Sequence, residues 1–230
     1  MTWPAGRPPT IYAGVLIGGA SRRMGENKSL LRLEGTTFAQ RVITAVRGLA
    51  ERVVLLGDGP VPPLPPEVVR LPDVPGISGP LAGMLAAMRW APDRCWLFAA
   101  CDLPLLRAEA LEWLVDQRQP GHWVVLPKLT PERVEPLLAV YEPEALRLLE
   151  KLVGRGCLSP SRLAGERNVF TPTPPESLCD CWTNVNTPEQ YRRLEPEAEG
   201  AVTPLEPRGC PGRRACGGTA HRTEGTGGAG

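Results

Sequence analysis

Residues 11–33 are IYAGVLIGGASRRMGENKSLLRL, and they join a short apolar run to a glycine pair and a set of cations. The run from Ile11 to Ile17 is rich in branched side chains, which predicts a buried strand. Gly18 and Gly19 permit positive φ angles and a close approach of ligand to backbone, so successive N–H groups can face an anion. The sequence therefore predicts a strand that ends in an anion-binding turn.

Three cations, Arg22, Arg23 and Lys28, follow the glycine pair. A cation cluster beside a glycine turn supplies charge neutralisation and bidentate contacts for a polyphosphate. Two better-known phosphate loops are excluded by spacing. The dinucleotide pattern G-x-G-x-x-G is not matched at this turn, and a P-loop has its lysine directly after the second glycine, whereas two residues separate Gly25 from Lys28 here.

The same residues resemble the opening motif of nucleotidyltransferases, L-x-G-G-x-S-x-R-M-G-x-x-K after a strand. The matching positions are Leu16, Gly18, Gly19, Ser21, Arg23, Met24, Gly25 and Lys28. The paired glycine is most similar to the molybdenum cofactor guanylyltransferases, because sugar-nucleotide, cytidylyl and isoprenoid relatives usually carry Ala-Gly or Ala-Ala-Gly. Ile17 departs from the small residue that is usual before the pair and would narrow the base pocket.

Length and charge limit the classes of function. A chain of 230 residues is long enough for one full domain, and a net charge of +1 gives no electrostatic basis for binding nucleic acid or an anionic membrane. No apolar run approaches the roughly 20 residues of a membrane span, and the N-terminal residues lack the apolar run of a signal peptide, so we expect a cytoplasmic protein. The odd number of cysteines, seven, predicts reduced thiols.

A second motif is GPLAG at residues 79–83. Gly79 precedes Pro80, a favourable first helical residue, which predicts a helix N-terminus whose unpaired N–H groups suit polar ligand atoms. The resemblance to the guanylyltransferases includes this run. It implies that Asp73 and Gly79 lie against the base and ribose of the nucleotide, although an exposed loop acid is the alternative for Asp73.

The run from Cys95 to Ala100 is continuously apolar, as in strands inside a parallel sheet. Asp102 follows it, and open α/β sheets bind their ligands at the carboxyl ends of strands. Nucleotidyl transfer needs Mg²⁺, which takes carboxylate and phosphate oxygens. The C-D-x-P tetrapeptide at residues 101–104 also resembles the family, which implies that Asp102 binds Mg²⁺ beside the nucleotide. A helix-capping aspartate is the alternative.

Two later motifs of the same resemblance concern the second substrate. VEPLLAVY at residues 134–141 predicts a strand and is similar to the family's Q/E-P-L-x-A-x-Y run on the acceptor side of the cleft. WTNVNTPE at residues 182–189 includes the N-x-N-T-P-E pattern of the family, which implies that Asn184 and Asn186 reach the acceptor or the metal. Thr187 before Pro188 also fits a helix cap.

Other chemistries have few residues available. The chain has two histidines, His122 and His221, which gives little basis for a histidine metal centre or a catalytic triad. The cysteine pairs at 179 and 181 and at 210 and 216 lack zinc-site spacing. From Pro196 onward the composition shifts to Gly, Pro, Glu, Thr and Arg, which predicts disorder.

The order of strands and helices predicts a three-layer α/β/α protein with a mainly parallel, Rossmann-like sheet. We expect an N-terminal extension at 1–10, a nucleotidyltransferase domain at 11–196 and a disordered tail at 197–230. The resemblance covers residues 11–194. It implies transfer of GMP from GTP to the molybdenum-molybdopterin cofactor, with cofactor-biosynthesis proteins and recipient molybdoenzymes as further partners. A cytidylyltransferase or another nucleotidyltransferase of this fold, and a non-catalytic carrier of the cofactor, are the alternatives.

The resemblance also assigns roles to single residues. It implies catalytic roles for Arg23, Lys28 and Asp102, with Mg²⁺ on Asp102. The implied nucleotide contacts are Leu16, Ile17, Gly18, Gly19, Lys28, Asp73, Gly79 and Asp102, and the implied acceptor contacts are Asn184 and Asn186. Catalysis would then consist mostly of positioning and charge stabilisation, with no protein nucleophile.

Overall fold

The computed structural model describes residue 3 and residues 6–18, 27–64 and 67–194. The strands in these ranges are β1 (Ile11–Leu16), β2 (Arg32–Leu33), β3 (Thr36–Thr37), β4 (Arg52–Leu56), β5 (Val69–Leu71), β6 (Cys95–Ala100), β7 (Val124–Val125), β8 (Lys128–Thr130), β9 (Arg133–Val134), β10 (Leu138–Tyr141) and β11 (Val169–Phe170). The α-helices are α1 (Phe38–Arg47), α2 (Pro80–Trp90), α3 (Ala108–Asp116), α4 (Ala145–Gly154) and α5 (Pro188–Arg192). Shorter 3-10 helices are Lys28–Leu30, Pro160–Gly165 and Glu176–Trp182.

Some of the predictions concern residues outside these ranges. Gly19 and Arg23 of the predicted site lie outside the described residues, as does the predicted tail at 197–230. Their proposed roles therefore stay predictions.

One seven-stranded sheet forms the centre of the fold, in the order β11-β7-β10-β6-β1-β4-β5. β1 is parallel to both of its neighbours, and β5 and β11 are also parallel to the strands beside them. β10 is antiparallel to β6 and to β7. The predicted α/β fold with a mainly parallel sheet is confirmed. The sheet is not fully parallel because β10 runs antiparallel to its neighbours.

The direction of strand addition reverses at β1. The chain adds β4 and β5 on one side of β1 and then returns to place β6 on the other side. In open α/β sheets, the crevice outside the carboxyl ends of the strands at such a reversal is the usual ligand site. Leu16 at the end of β1 pairs with Ala100 at the end of β6. The residues that follow these two positions are therefore candidates for a ligand site.

Helices cover both faces of the sheet. α1 and α3 pack on one face through Val42, Ile43, Val46, Ala110, Leu111 and Leu114. α2 and α4 pack on the other face through Leu81, Met84, Leu85, Met88, Leu148 and Leu149. Successive residues of β1 serve the two cores in alternation, with Ala13 and Val15 in the first and Tyr12 and Leu16 in the second. The predicted three-layer arrangement follows from this alternation.

Three helices begin with caps, and two of these starts, after Gly79 and after Thr187, confirm predictions from the sequence. Thr37 forms a capping box at the start of α1. α2 begins at Pro80 after Gly79, whose φ of 79° lies in the region that favours glycine. Thr187 forms a second capping box, before the α5 residue Pro188. The capping interpretation of Thr187 is therefore correct.

The prediction of one continuous strand at residues 134–141 is wrong. β9 ends at Val134 and β10 begins at Leu138. The intervening Glu135, Pro136 and Leu137 cross the end of β6, where the Leu137 carbonyl accepts a hydrogen bond from Ala100 N at 2.8 Å. A proline has no N–H for a strand ladder, which explains the interruption.

A buried ion pair connects the residues before β1 to the residue that follows β10. Arg118 Nε donates to Glu142 Oε1 at 2.6 Å, and Arg118 Nη2 donates to the Pro9 carbonyl at 3.0 Å. The Arg118 guanidinium also lies 5.3 Å from the ring centroid of Trp3. Burial raises the pKa of Glu142, and the hydrogen bond from Arg118 opposes that rise. The described part of the predicted extension thus packs on the domain.

Two further expectations concern membranes and thiols. No helix among the described residues is both long enough and apolar enough to cross a bilayer. The cysteines in the same ranges are free thiols, as predicted, and they are Cys95, Cys101, Cys157, Cys179 and Cys181.

Candidate active site

A cavity of about 170 Å³ lies at the carboxyl ends of β1 and β6. The predicted site residues that line it are Leu16, Ile17, Gly18, Lys28 and Asp102. The other lining residues are Asn27, Ser29, Pro80, Ala100, Cys101 and Leu137. Small-molecule sites usually measure about 300–1,000 Å³, so this cavity alone is smaller than a typical ligand site.

Lys28 and Asp102 form an ion pair in this cavity. Lys28 Nζ lies 3.0 Å from Asp102 Oδ2, and the two side chains are 18% and 16% exposed. Lys28 Nζ also donates a hydrogen bond to Asn186 Oδ1. Because both charges are largely shielded from water, salt screens them less than it screens a surface pair. The pair brings a cation and a carboxylate together where the sequence predicts phosphate and metal chemistry.

The segment that carries Asn184 and Asn186 folds back onto Asp102. Val185 N donates to the Asp102 carbonyl at 2.9 Å. Asn184 Nδ2 donates to Asp102 Oδ1 at 3.2 Å. The structure therefore joins the two predicted acceptor residues to the predicted catalytic pair, Asn184 through Asp102 and Asn186 through Lys28.

The Asp102 carboxylate suits a hard cation, because carboxylate oxygens are ligands at magnesium and calcium sites. The amide oxygens of Asn184 and Asn186 accept hydrogen bonds from Arg133 and Lys28. Among the described residues, no group of three or more His, Cys, Asp or Glu is arranged to hold a metal ion. Mg²⁺ is usually bound by one or two carboxylates plus substrate phosphates. The donor set therefore fits an ion that arrives with a nucleotide better than a preformed protein cage.

Cys101, next to Asp102, has a structural role. Its backbone N–H donates to the Leu16 carbonyl at 3.0 Å and so joins the end of β6 to the end of β1. Burial, together with the charge of Asp102, raises the pKa of Cys101 to about 12. The side chain is therefore a thiol at neutral pH and not a thiolate nucleophile.

Asp73 lies beside the glycines that follow β1 and β4. A Cβ built on Gly18 would be 3.9 Å from Asp73 Oδ2, and one built on Gly57 would be 3.6 Å from Asp73 Oδ1. Partial burial and the charge of Asp58 raise the pKa of Asp73. The structure thus brings Asp73 close to the predicted phosphate turn. Gly79 does not line the cavity, although its neighbour Pro80 does.

Arg133, which contacts Asn184, was not singled out from the sequence, and Glu135 was given no role of its own within the acceptor-side run at 134–141. Arg133 Nη2 donates to Asn184 Oδ1 at 3.2 Å and lies 3.4 Å from Glu135 Oε2. Glu135 is only 6% exposed. Burial raises the pKa of Glu135, and the hydrogen bond from Leu137 N opposes that rise. The available signal was the acid in the E-P-L run, since an acid that precedes a proline inside an apolar segment is unusual.

The loop after β4 packs directly on the end of β1. Arg70 holds this loop, because its Nε donates to the Gly57 carbonyl at 3.0 Å and its Nη2 donates to the Gly59 carbonyl at 2.8 Å. A Cβ built on Gly59 would lie 2.2 Å from the Ile17 carbonyl oxygen. The close approach of these two backbone segments therefore requires glycine at position 59.

A larger hollow of about 610 Å³ lies beside α1, away from these residues. Its lining residues are Arg32, Gly35, Thr36, Gln40, Ile43, Thr44, Arg47, Pro62, Pro63 and Leu64. None of these is a carboxylate or a predicted site residue. Volume alone therefore does not identify the reactive site, whereas the ends of β1 and β6 combine a cavity with charged groups.

Comparisons with known proteins identify the family of this chain. The sequence model of the MobA-like NTP transferase domain matches residues 13–169. Two relatives are named probable molybdenum cofactor guanylyltransferase. The relative from Bacillus licheniformis is 31% identical over 195 residues, which is 79% of this chain and 95% of the relative. The relative from Bacillus cytotoxicus is 27% identical over 187 residues, which is 78% of this chain and 94% of the relative.

A solved structure has a similar fold. It is the crystal structure of molybdopterin-guanine dinucleotide biosynthesis protein A from Archaeoglobus fulgidus, with a TM-score of 0.65 and 25% sequence identity. The match covers 80% of this chain and 96% of that one.

Proposed function

This chain belongs to the MobA-like NTP transferase family and is a nucleotidyltransferase, and from that premise we propose that it transfers GMP from GTP to the molybdenum-molybdopterin cofactor. The products are molybdopterin guanine dinucleotide and pyrophosphate. The observation that carries the proposal is the convergence of Lys28, Asp102, Asn184 and Asn186 beside the cavity at the ends of β1 and β6. The names of the relatives supply the choice of guanine and of molybdopterin.

The proposed reaction joins two phosphates. An oxygen of the acceptor's terminal phosphate attacks the α-phosphorus of GTP, and a new P–O–P linkage forms. The bond from the α-phosphorus to the oxygen that bridges it to the β-phosphorus breaks, and pyrophosphate leaves with that electron pair. No covalent enzyme intermediate is needed, so the protein contributes positioning and charge stabilisation.

Each residue of the cluster has a proposed task in this reaction. Lys28 Nζ neutralises the triphosphate and the leaving pyrophosphate, and Arg23, which lies outside the described residues, is proposed to share that task. Asp102 would hold Mg²⁺ through its carboxylate. When bound, Mg²⁺ supplies neutralisation of the charge on the phosphate oxygens. Asn184 and Asn186 are proposed to bind the acceptor.

The nucleotide side is proposed to lie along the end of β1. Leu16, Ile17 and Gly18 line the cavity there, and Gly19 follows them outside the described residues. Asp73, which lies next to Gly18, is proposed to contact the base and ribose. The contact proposed for Gly79 requires the nucleotide to extend past Pro80 toward the N-terminus of α2, where the helix dipole favours polar ligand atoms.

Pyrophosphate release tests the proposed reaction. Purified protein is supplied with Mg²⁺ and molybdopterin cofactor, and the release rates with GTP, CTP, ATP and UTP are compared. Preference for GTP supports the proposal. Preference for CTP would move the protein to the cytidylyltransferases, and no release with any of the four nucleotides would contradict the proposed acceptor.

The close contact at Gly59 gives a prediction about nucleotide binding. We expect Gly59→Ala to raise the KM for GTP about tenfold or more, because the methyl group forces the loop away from Ile17 and misplaces the nucleotide side of the cavity. Gly48→Ala is the matched control, since a Cβ there meets nothing within 4 Å and its φ is −70°. Steady-state kinetics with thermal melting of both variants measure the effect, and wild-type kinetics in Gly59→Ala would contradict it.

A further inference from the structure

Two cations are linked to the two carboxylate oxygens of Asp102. Lys28 Nζ contacts Oδ2 directly at 3.0 Å. Arg133 reaches Oδ1 through Asn184, since its Nη2 donates to Asn184 Oδ1 at 3.2 Å and Asn184 Nδ2 donates to Asp102 Oδ1 at 3.2 Å. Lys28 lines the cavity at the end of β1, whereas Arg133 does not. The second cation therefore serves the part of the site that adjoins Asn184 and not the nucleotide cavity.

The backbone of Arg133 is fixed by a hydrogen bond, whereas its side chain is partly exposed to solvent. Its backbone N–H donates to Thr130 Oγ1 at 3.1 Å, which fixes the turn of the β8–β9 hairpin. Its side chain is 56% exposed, whereas the side chain of its partner Glu135 is 8% exposed. The contacts to Asn184 and Glu135 both use Nη2. A guanidinium carries five N–H donors in a fork that matches phosphate oxygens.

Glu135 fixes the orientation of this guanidinium. Its Oε1 accepts a hydrogen bond from Leu137 N at 3.1 Å, so the carboxylate is anchored to the E-P-L turn. Its Oε2 lies toward Arg133. A buried carboxylate requires a cation or hydrogen-bond donors to compensate its lost hydration. Because the buried Glu135 carboxylate is compensated by Arg133, the guanidinium stays at a position from which it also contacts Asn184.

The geometry points to Arg133 as the residue that binds the attacking phosphate monoester of the acceptor, with Glu135 as its positioning residue. This inference rests on the proposed function, which supplies an acceptor phosphate. A phosphate that attacks the α-phosphate of a nucleotide meets a group of like charge, and a cation on the acceptor side offsets that repulsion. Arginine suits the task because it binds phosphate in a bidentate manner.

The test separates binding of the two substrates. Arg133→Met is expected to raise both the KM and the equilibrium Kd for molybdopterin about 10- to 100-fold, while the KM for GTP changes less than about twofold. Arg133→Lys recovers part of the loss because it keeps the charge without the fork. Glu135→Gln keeps the acceptor for Leu137 N and is expected to raise the KM for molybdopterin by a smaller factor, with kcat at saturation preserved.

Arg89→Met is the matched control, since Arg89 is an exposed arginine that pairs with Glu150 on the helical surface. Wild-type Kd and KM for molybdopterin in Arg133→Met would overturn the inference, as would a rise confined to the KM for GTP. Failure of the proposed function is seen separately, as absent GMP transfer by the wild type. In that case the Kd for inorganic phosphate is compared, and equal binding by wild type and Arg133→Met would overturn the anion site.

Discussion

Asp102→Ala is expected to lower kcat for GMP transfer about a thousandfold or more while the protein stays folded. The substitution removes the carboxylate proposed to hold Mg²⁺, and single electrostatic groups at reacting centres contribute about 10²–10³ in kcat even without a metal. The fold should persist because the Asp102 main-chain carbonyl, which accepts from Val185 N at 2.9 Å, is kept. Pyrophosphate release at saturating GTP and molybdopterin measures the loss, and circular dichroism checks the fold.

Asp93→Ala provides the comparison for this experiment. Asp93 lies in the turn that precedes β6, at the opposite end of the strand from Asp102, and its side chain is 73% exposed. This variant should keep wild-type kcat. Near-normal turnover by Asp102→Ala would show that the metal and phosphates are bound elsewhere.

Lys28→Met is expected to lower kcat/KM for GTP about 10²- to 10³-fold. The change removes the ammonium that the structure pairs with Asp102 and that we propose to neutralise the triphosphate. Lys28→Arg should recover part of the activity, because the charge is kept but the shape of the donor group differs. Initial rates over a range of GTP concentrations separate the effects on kcat and KM.

Lys151→Met serves as the control for the loss of a lysine. Lys151 is 42% exposed and pairs with Glu166 on the surface, so its removal should leave the kinetics of transfer unchanged. The double variant of Asp102 and Lys28 should be less impaired than the product of the two single losses, because residues in contact act as a unit. Unchanged kcat/KM in Lys28→Met would contradict the role of this lysine.

Much of the fold was predictable because its main determinants are local in sequence. The apolar run predicted as a strand at 11–17 contains β1, which ends at Leu16, the run at 95–100 forms β6 as predicted, and α2 begins at Pro80 after a glycine. Asp102 comes just after β6 in the sequence. Because parallel strands place their carboxyl ends at one edge of the sheet, Asp102 lies at the same edge as the end of β1. Local sequence pattern is therefore sufficient to predict the edge of the sheet at which the candidate site lies.

The remaining features depend on contacts that local pattern does not encode. The E-P-L run was predicted to lie inside a strand, whereas its proline interrupts the ladder and lets Glu135 turn inward. The contact between Arg133 and Asn184 joins residues 51 positions apart. Arg70 fixes the loop after β4 through carbonyls of Gly57 and Gly59, and side chain to main chain bonds of this kind leave no periodic signature.

The contact between Asp102 and the Asn184–Asn186 segment also has a consequence for the order in which the chain folds during its synthesis. The strands β1, β4 and β6 lie within the first 100 residues and can pair as soon as they have left the ribosome. The bond from Lys28 to Asn186 spans 158 positions, and closing so long a loop is a late and slow step. We therefore expect the edge formed by β1, β4 and β6 to assemble first, and the candidate site to be complete only when the Asn184–Asn186 segment docks on Asp102.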